Sequence, residues 1–196
     1  RERYHKPSFV LTRGEEGVKG SGRSIESYSM YEKLCECKEY LTKFGGHPMA
    51  AGLSLEEENV ERFRRKLNEQ SGLTEEDLVE KVTIDVPMPI HYIRKDLVQE
   101  LSLLEPFGKG NEKPLFAQKN LWVSQMRVFG KNRNVVKMRL TDENGYPMDG
   151  VYFGNGDEFA EEGRGKRKIS IVYYPDINMY QGRESLQVII RHYQFD

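Results

Sequence analysis

Phe44-Gly45-Gly46-His47-Pro48-Met49-Ala50-Ala51-Gly52 is the stretch on which the reading of the first half of the chain turns. Three glycines, two alanines, a proline and a histidine in nine residues read as a loop rather than a helix or strand. Pro48 biases His47 away from helical backbone. The imidazole is the only side chain here with acid–base or strong hydrogen-bonding capacity. The pattern predicts a loop that holds an anionic ligand against backbone N–H groups and one histidine. The plainer alternative is a tight turn between two elements.

Upstream, Ser8 to Thr12 read as a short apolar strand. Residues 13–24 carry glycines 14, 17, 20 and 22 and read as a flexible, donor-rich loop. In it Lys19, Ser21, Gly22, Arg23 and Ser24 are candidates for phosphate contact. No Gly-Lys-Ser/Thr follows at Walker spacing. Ser29-x-x-Glu32 predicts a capped helix with Tyr31, Leu34, Cys35, Leu41 and Phe44 on one face and a break near Cys37. Downstream, Ser54-x-x-Glu57 predicts a second helix with Val60, Phe63 and Leu67 inward, closed by Gly72. Thr74-x-x-Asp77 is a further cap. Val82, Ile84 and Val86 alternate as a strand, and Leu97, Leu101 and Leu104 mark a helix from about Arg94, stopped by Pro106 and Gly108. A domain boundary is expected within 81–93, giving a first domain at 1–81, a connecting strand and helix at 82–105, and a second domain at 106–196.

The length of 196 residues suits one large or two small domains. With 31% charged residues and no apolar run of spanning length, the chain reads as soluble, non-membrane and cytoplasmic, and Arg1-Glu2-Arg3-Tyr4-His5 does not resemble a signal peptide. It does not begin with Met and is read as part of something longer. Cys35 and Cys37 read as reduced thiols, not as a metal or disulfide pair. Net charge is −1, but its distribution is uneven. Residues 106–141 hold eight cations, Lys109, Lys113, Lys119, Arg127, Lys131, Arg133, Lys137 and Arg139, against Glu112 alone. Residues 53–81 are rich in acids. A basic stripe in a neutral chain is a footprint for a polyanion, with a solvated face as the alternative.

From residue 116 the pattern changes to alternating strands: Leu121/Val123, Val136/Met138/Leu140, Val151/Phe153, Ile169/Ile171/Tyr173 and Leu186/Val188/Ile190. Glycine- and asparagine-rich turns separate them, and a helical or irregular insert is expected near 157–165. Five or six antiparallel strands of this kind suit an OB-like barrel. Lys137, Arg139, Lys168 and Arg191 are expected on its outward face. Trp122, Tyr152, Tyr174 and Tyr180 are candidates for stacking on bases, or for core packing. The fold class is therefore α+β, an α/β domain followed by an antiparallel OB-like barrel.

These residues carry a resemblance. Residues 19–25 (Lys-Gly-Ser-Gly-Arg-Ser-Ile), with Phe44-Gly45-Gly46-His47 and Ala50-Ala51-Gly52-Leu53, resemble the signature of the DHH-associated substrate-binding domain. Leu104-Glu105-Pro106-Phe107-Gly108, with Gly110-Asn111, Pro114 and Phe116, is similar to the lead-in to the barrel of RecJ-type single-strand-specific DNA exonucleases. Asn178-x-Tyr180-x-Gly182-Arg183-Glu184-Ser185-x-Gln187 resembles the final hairpin of that barrel.

The resemblance implies the C-terminal part of a bacterial 5′-to-3′ exonuclease of DNA repair and recombination. In that family a DHH domain holds two Mn²⁺ or Mg²⁺ ions. This sequence has no Asp-His-His, so no metal is expected in this chain, and it is expected to be inactive alone. By motif match, Ser21, Arg23 and Ser24 would contact phosphates near the 5′ end. Gly45, Gly46 and His47 would lie at the scissile region, His47 assisting catalysis through a phosphate oxygen. The barrel would guide single-stranded DNA with Lys131, Arg133, Lys137, Arg139 and Arg183. The implied partners are single-stranded DNA, the DHH domain of the same protein, and repair proteins. Two alternatives stand beside this reading. One is part of a smaller DHH phosphodiesterase acting on short RNA or cyclic dinucleotides; the other is a repair-protein interaction module.

Overall fold

The structure, a computed structural model, describes residues 4–15 and 17–196. Arg1 to Arg3, on which the reading of the N-terminus partly rests, and Glu16 of the first glycine-rich stretch lie outside the described residues. The chain forms two compact units, Arg1–Val82 and Thr83–Asp196.

The first unit holds a four-stranded antiparallel sheet of β1 (Ser8–Gly14), β2 (Gly17–Arg23), β3 (Lys43–His47) and β4 (Ala50–Leu55), ordered β1-β2-β4-β3. Both glycine-rich stretches, expected as loops, are therefore strands in their larger part. The reason is packing across the sheet. A Cβ on Gly20 would come within 2.3 Å of Leu11 Cδ2, and one on Gly22 would come within 2.4 Å of Met30 Sδ. A Cβ on Gly46 would meet Ala50 O. These glycines are set by the close approach of neighbours.

Helices α1 (Met30–Glu36) and α2 (Val60–Glu69) cover one face of the sheet. Met30, Leu34, Cys37 and Phe63 bury against Val18, Ala51, Leu53 and Leu55, with Phe9, Leu11 and Phe44 packed around them. α1 ends where the break near Cys37 was expected, and Val60, Phe63 and Leu67 face inward as their spacing predicts. Ser54 does not cap α2. It lies in β4, and the chain enters α2 through a 3₁₀ turn at Glu57–Asn59. Thr74 and Asp77 do form a reciprocal cap, with Thr74 N–H donating to Asp77 Oδ2 at 2.9 Å and Asp77 N–H to Thr74 Oγ at 3.4 Å.

In the second unit, only Val86–Pro87 of the expected 82–86 strand is extended as β5, paired in parallel with Phe116 and Ala117. Pro87 and Pro89 have no N–H to extend that ladder. Ile90 and Ile93 are buried in the core of this unit, and α3 (Lys95–Ser102) follows.

The barrel strands are β6 (Phe116–Phe129), β7 (Val135–Thr141), β8 (Pro147–Phe153), β9 (Lys168–Tyr180) and β10 (Arg183–Phe195), with α4 (Gly156–Glu162) between β8 and β9. Pairings run β6-β7-β8-β10-β9 and return from β9 to β6, which closes the ring. β6 serves both neighbours because it bends at Asn120 (φ 61°) and Gln125 (φ 52°), where its registers shift. One expectation is corrected here: β8 and β10 pair in parallel. The helical insert α4 carries the chain across before the β9–β10 hairpin, so β10 returns beside β8 in the same direction. Gln181 and Gly182, both at positive φ, make the two-residue turn of that hairpin.

Candidate nucleic-acid interface

In the first unit the face of the sheet opposite the helices is exposed. Cross-strand partners point to the same face, so the registers define three rows. One runs Ser8, Arg23, Ala50, His47; the next Val10, Ser21, Gly52, Gly45; the third Thr12, Lys19, Ser54, Lys43. The middle row is bare at its β4–β3 end, where Gly52 and Gly45 adjoin, and carries Val10 and Ser21 at the other; this lane is flanked by Arg23 and His47 on one side and Lys19 and Lys43 on the other.

Unlike Gly20, Gly22 and Gly46, the lane glycines have no packing reason to be glycine. A Cβ on Gly45 would meet nothing within 4 Å, and one on Gly52 would meet only Gly20 O, at 3.8 Å. Glycine weakens a strand interior. Its presence at two open, adjacent positions leaves room for something to lie flat on the sheet.

His47 borders this lane on the hairpin between β3 and β4. Met49 N–H donates to its Nδ1 at 3.3 Å. In the neutral ring the proton therefore sits on Nε2, which is left to donate to an acceptor on the exposed face. The Arg23 guanidinium donates back to Gly22 O at 2.9 Å. Three of the expected contacts are not on this face. Ser24 is buried and its hydroxyl donates to Tyr28 O at 2.5 Å, so it fixes the chain after β2. Gly22 and Gly46 belong to the rows that face the helices.

In the second unit, Arg127, Phe129, Lys137, Arg139, Asp149 and Gln187 line a groove of about 260 Å³ across β6, β7, β8 and β10. It continues into a hollow between Lys137, Tyr180 and Arg183. Val151, only 3% exposed, gives the groove an apolar floor, and its partner across strands is Ile189, 4% exposed. Phe129, Phe153 and Tyr180 stand out at 44%, 60% and 68% exposure. Cations along a groove beside exposed aromatic rings are the arrangement that tracks a single nucleic-acid strand.

Arg139 is ion-paired with its cross-strand neighbour Asp149. Arg133 is turned to α4, pairing with Asp157 at 2.6 Å and holding that carboxyl below its ordinary range through the hydrogen bond; it ties down the β6–β7 turn. Lys131 is exposed in the same turn.

The aromatic candidates divide. Tyr180 lies on the groove. Tyr152 does not: its ring stacks on Phe159 at 4.8 Å in the core. Tyr174 is half-buried beneath Lys113, whose Nζ lies 4.2 Å from the ring centroid. Trp122 is exposed but lies toward the other end of β6, with Lys168 Nζ 4.7 Å from its ring centroid. Lys43 on the first sheet and Phe129 and Phe153 on the barrel were not singled out as site residues from sequence, and Gly52 and Arg127 only as members of the glycine-rich stretch and the basic stripe. Phe129 and Phe153 each directly precede a turn glycine, Gly130 and Gly154, which is the available signal for strand-end exposure. Among the described residues no three His, Cys, Asp or Glu side chains gather to hold a metal ion. Among them, too, no helix is long and apolar enough to cross a membrane.

The RecJ OB domain family model matches residues 84–192, and the DHHA1 domain model matches residues 1–72. A single-stranded-DNA-specific exonuclease RecJ of Bacillus subtilis is 38% identical over 196 residues, covering 97% of this chain and 24% of that protein. The Escherichia coli protein of the same name is 33% identical over 198 residues, covering 97% of this chain and 34% of its own length. The chain thus spans about a quarter to a third of the curated relatives it matches. A crystal structure of RecJ in complex with Mg²⁺ from Thermus thermophilus superposes with TM-score 0.75 at 24% identity, over 96% of this chain and 28% of that one. A second from the same organism, in complex with Mn²⁺, gives 0.76. At that identity the likeness is one of fold.

Proposed function

The chain belongs to the RecJ family, and from that premise we propose that it is the substrate-binding C-terminal portion of a 5′-to-3′ single-stranded-DNA exonuclease of DNA repair and recombination, working in the cytoplasm. The observation that carries this reading is the barrel groove, where Arg127, Lys137, Arg139 and Arg183 accompany exposed Phe129 and Tyr180 over an apolar floor, with Phe153 exposed at the neighbouring end of β8. The cations hold phosphates regardless of sequence, and the rings accept any base.

The first sheet would receive the terminal nucleotides. Strand spacing sets Arg23 and His47 about 10 Å apart, two strands across the sheet. Lys19, Ser21 and Arg23 supply phosphate contacts, with Lys43 as a further cation on the rim. Gly45 and Gly52 let the strand lie close. His47 donates from Nε2 to a phosphate oxygen and so stabilises charge that develops during cleavage. The described residues of this chain do not fit a two-metal centre. In this reading a DHH domain of the same protein holds Mn²⁺ or Mg²⁺, which would activate the attacking water. The chain alone binds and does not cleave.

The test is binding of a labelled ~20-nucleotide single strand against a dinucleotide, over a range of salt. A groove that tracks the backbone gains affinity with length. Equal affinity for the two would instead favour a small phosphodiesterase acting on short RNA or cyclic dinucleotides. Binding of neither, with capture of a repair protein, would leave an interaction module.

A further inference from the structure

The turn after α4 reads Arg164-Gly165-Lys166-Arg167-Lys168, four cations in five residues. Arg164 is spoken for by Glu161, 2.5 Å away. Lys166 and Arg167 are exposed, and among the described residues neither has an ion-pair partner. None of the four α4 acids forms an ion pair with them: Asp157 is engaged by Arg133 and Glu161 by Arg164, Glu158 accepts from Asn155 Nδ2 at 3.1 Å, and Glu162 lies against Tyr193. Backbone pairing fixes the turn against the barrel, because Val123 N–H donates to Arg167 O at 2.9 Å. That bond sets the turn beside Trp122, which pairs across strands with Lys168 and is 46% exposed. Lys119 stands exposed in the nearby bulge of β6. Asp196, which accepts from Ser170 at 3.3 Å, is an acidic group at the edge of this patch.

The patch is separate from the groove. Neither Trp122 nor the 164–168 turn lines it, and the nearest groove residue on β6, Gln125, is three residues from Trp122, roughly 10 Å along a strand. Trp122 pairs with Thr141 and Lys168, while Arg127 pairs with Lys137. The exposed indole, with an ammonium against its ring, adds to the charged turn a flat apolar surface on which a base can stack. Unpaired cations around an accessible aromatic ring are the chemistry that takes a phosphate backbone and stacks a base.

We propose that Lys166, Arg167 and Lys168 with Trp122 form a second contact for single-stranded nucleic acid, engaging a stretch of strand outside the groove. This rests on the nucleic-acid-binding reading above. Lys166 and Arg167 hold phosphates, Lys168 holds the indole in place, and Trp122 stacks one base.

Trp122 is the chain's single tryptophan, so its emission reports on this patch alone. The full chain is titrated with an unstructured single strand of ~30 nucleotides, long enough for more than one OB-sized site. Labelled-strand anisotropy and Trp122 emission are read together. The expected result is saturable quenching of Trp122 at the anisotropy midpoint. Lys166→Glu with Arg167→Glu lowers affinity and makes the log–log salt dependence shallower by about 1.4, the single-strand value for two lost phosphate contacts. Trp122→Ala weakens binding roughly tenfold and Trp122→Phe largely restores it. These side chains are exposed, so circular dichroism should be unchanged.

If the strand binds and Lys137→Glu weakens it, while Trp122 emission and the double variant's salt slope stay unchanged, this inference is overturned and the groove reading stands. Loss of all binding signals in the parent chain overturns both. Quenching by polyglutamate as effective as that by the nucleic acid overturns the inference in favour of an acidic protein partner.

Discussion

His91 Nδ1 lies 2.8 Å from Asp142 Oδ2, and the same carboxylate accepts from Tyr146 N–H at 2.8 Å and Asn144 N–H at 3.0 Å. The Asp142 side chain is 1% exposed. One buried carboxylate therefore closes the β7–β8 turn and fastens the segment around His91 to the barrel. Burial pushes the Asp142 carboxyl up, but the hydrogen bonds from Tyr146, His91 and Asn144 outweigh it and hold the group below its ordinary value.

Asp142→Ala leaves two turn N–H groups and His91 without their acceptor. It should destabilise the second unit by about 2–3 kcal/mol at pH 7 in urea unfolding. Because the folded carboxyl titrates below the unfolded one, its contribution is complete above the unfolded value of about 3.9 and fades as pH falls through the folded value. The gap between parent and variant should therefore be constant from pH 5 to 7 and narrow below about pH 4. A gap that persists undiminished into strong acid contradicts the assignment.

Gly45→Ala and Gly46→Ala separate binding from folding. Gly45 has open space around its Cβ position, whereas a Cβ on Gly46 would press on Ala50 O and Ala51. Gly46→Ala should cost about 1–3 kcal/mol of stability. Gly45→Ala should leave thermal unfolding of the chain unchanged or slightly raised, yet weaken turnover by the full-length protein. Full activity in Gly45→Ala would remove the reason given for the bare lane.

Asp149→Asn should strengthen single-strand binding, because it releases Arg139 from its ion pair. Lys137→Glu should weaken it. At low salt the expected change is a few-fold in each direction, converging as salt rises. Anisotropy titrations at two ionic strengths decide this; a weaker-binding Asp149→Asn would mean that the pair, not the free guanidinium, shapes the groove.

With the role proposed for it, His47→Ala should lower kcat for single-strand cleavage by the protein carrying both this chain and a DHH domain by about 10²–10³, the usual effect of removing one donor to developing charge. KM should change little, and stability should hold because the ring is exposed. A KM effect at unchanged kcat would make His47 a binding clamp.

Much of this arrangement was readable along the chain. Met138 and Leu140 of β7 and Ile169, Ile171 and Tyr173 of β9 alternate and point into the core, because a two-residue period has one solution when only one face is apolar. The inward spacing of Val60, Phe63 and Leu67 on α2, the insert at α4 and the turn at Gln181-Gly182 are equally local. The signature motifs carried the family.

What sequence did not decide was set by contacts between distant residues. In Val151-Tyr152-Phe153 three apolar residues in a row leave the parity open. Tyr152 goes inward because Phe159 and Tyr193 meet it there, which turns Phe153 out to the exposed face. Ser24 looked like a phosphate donor until Tyr28 O claimed its hydroxyl. Glycine propensity alone predicted loops at 13–24 and 44–52. Strands form there because Gly22 admits Met30 and Phe9, while Gly46 admits Ala51. The same residue type makes room for core side chains on one face of the sheet and leaves open space on the other, and only cross-strand register tells the two apart.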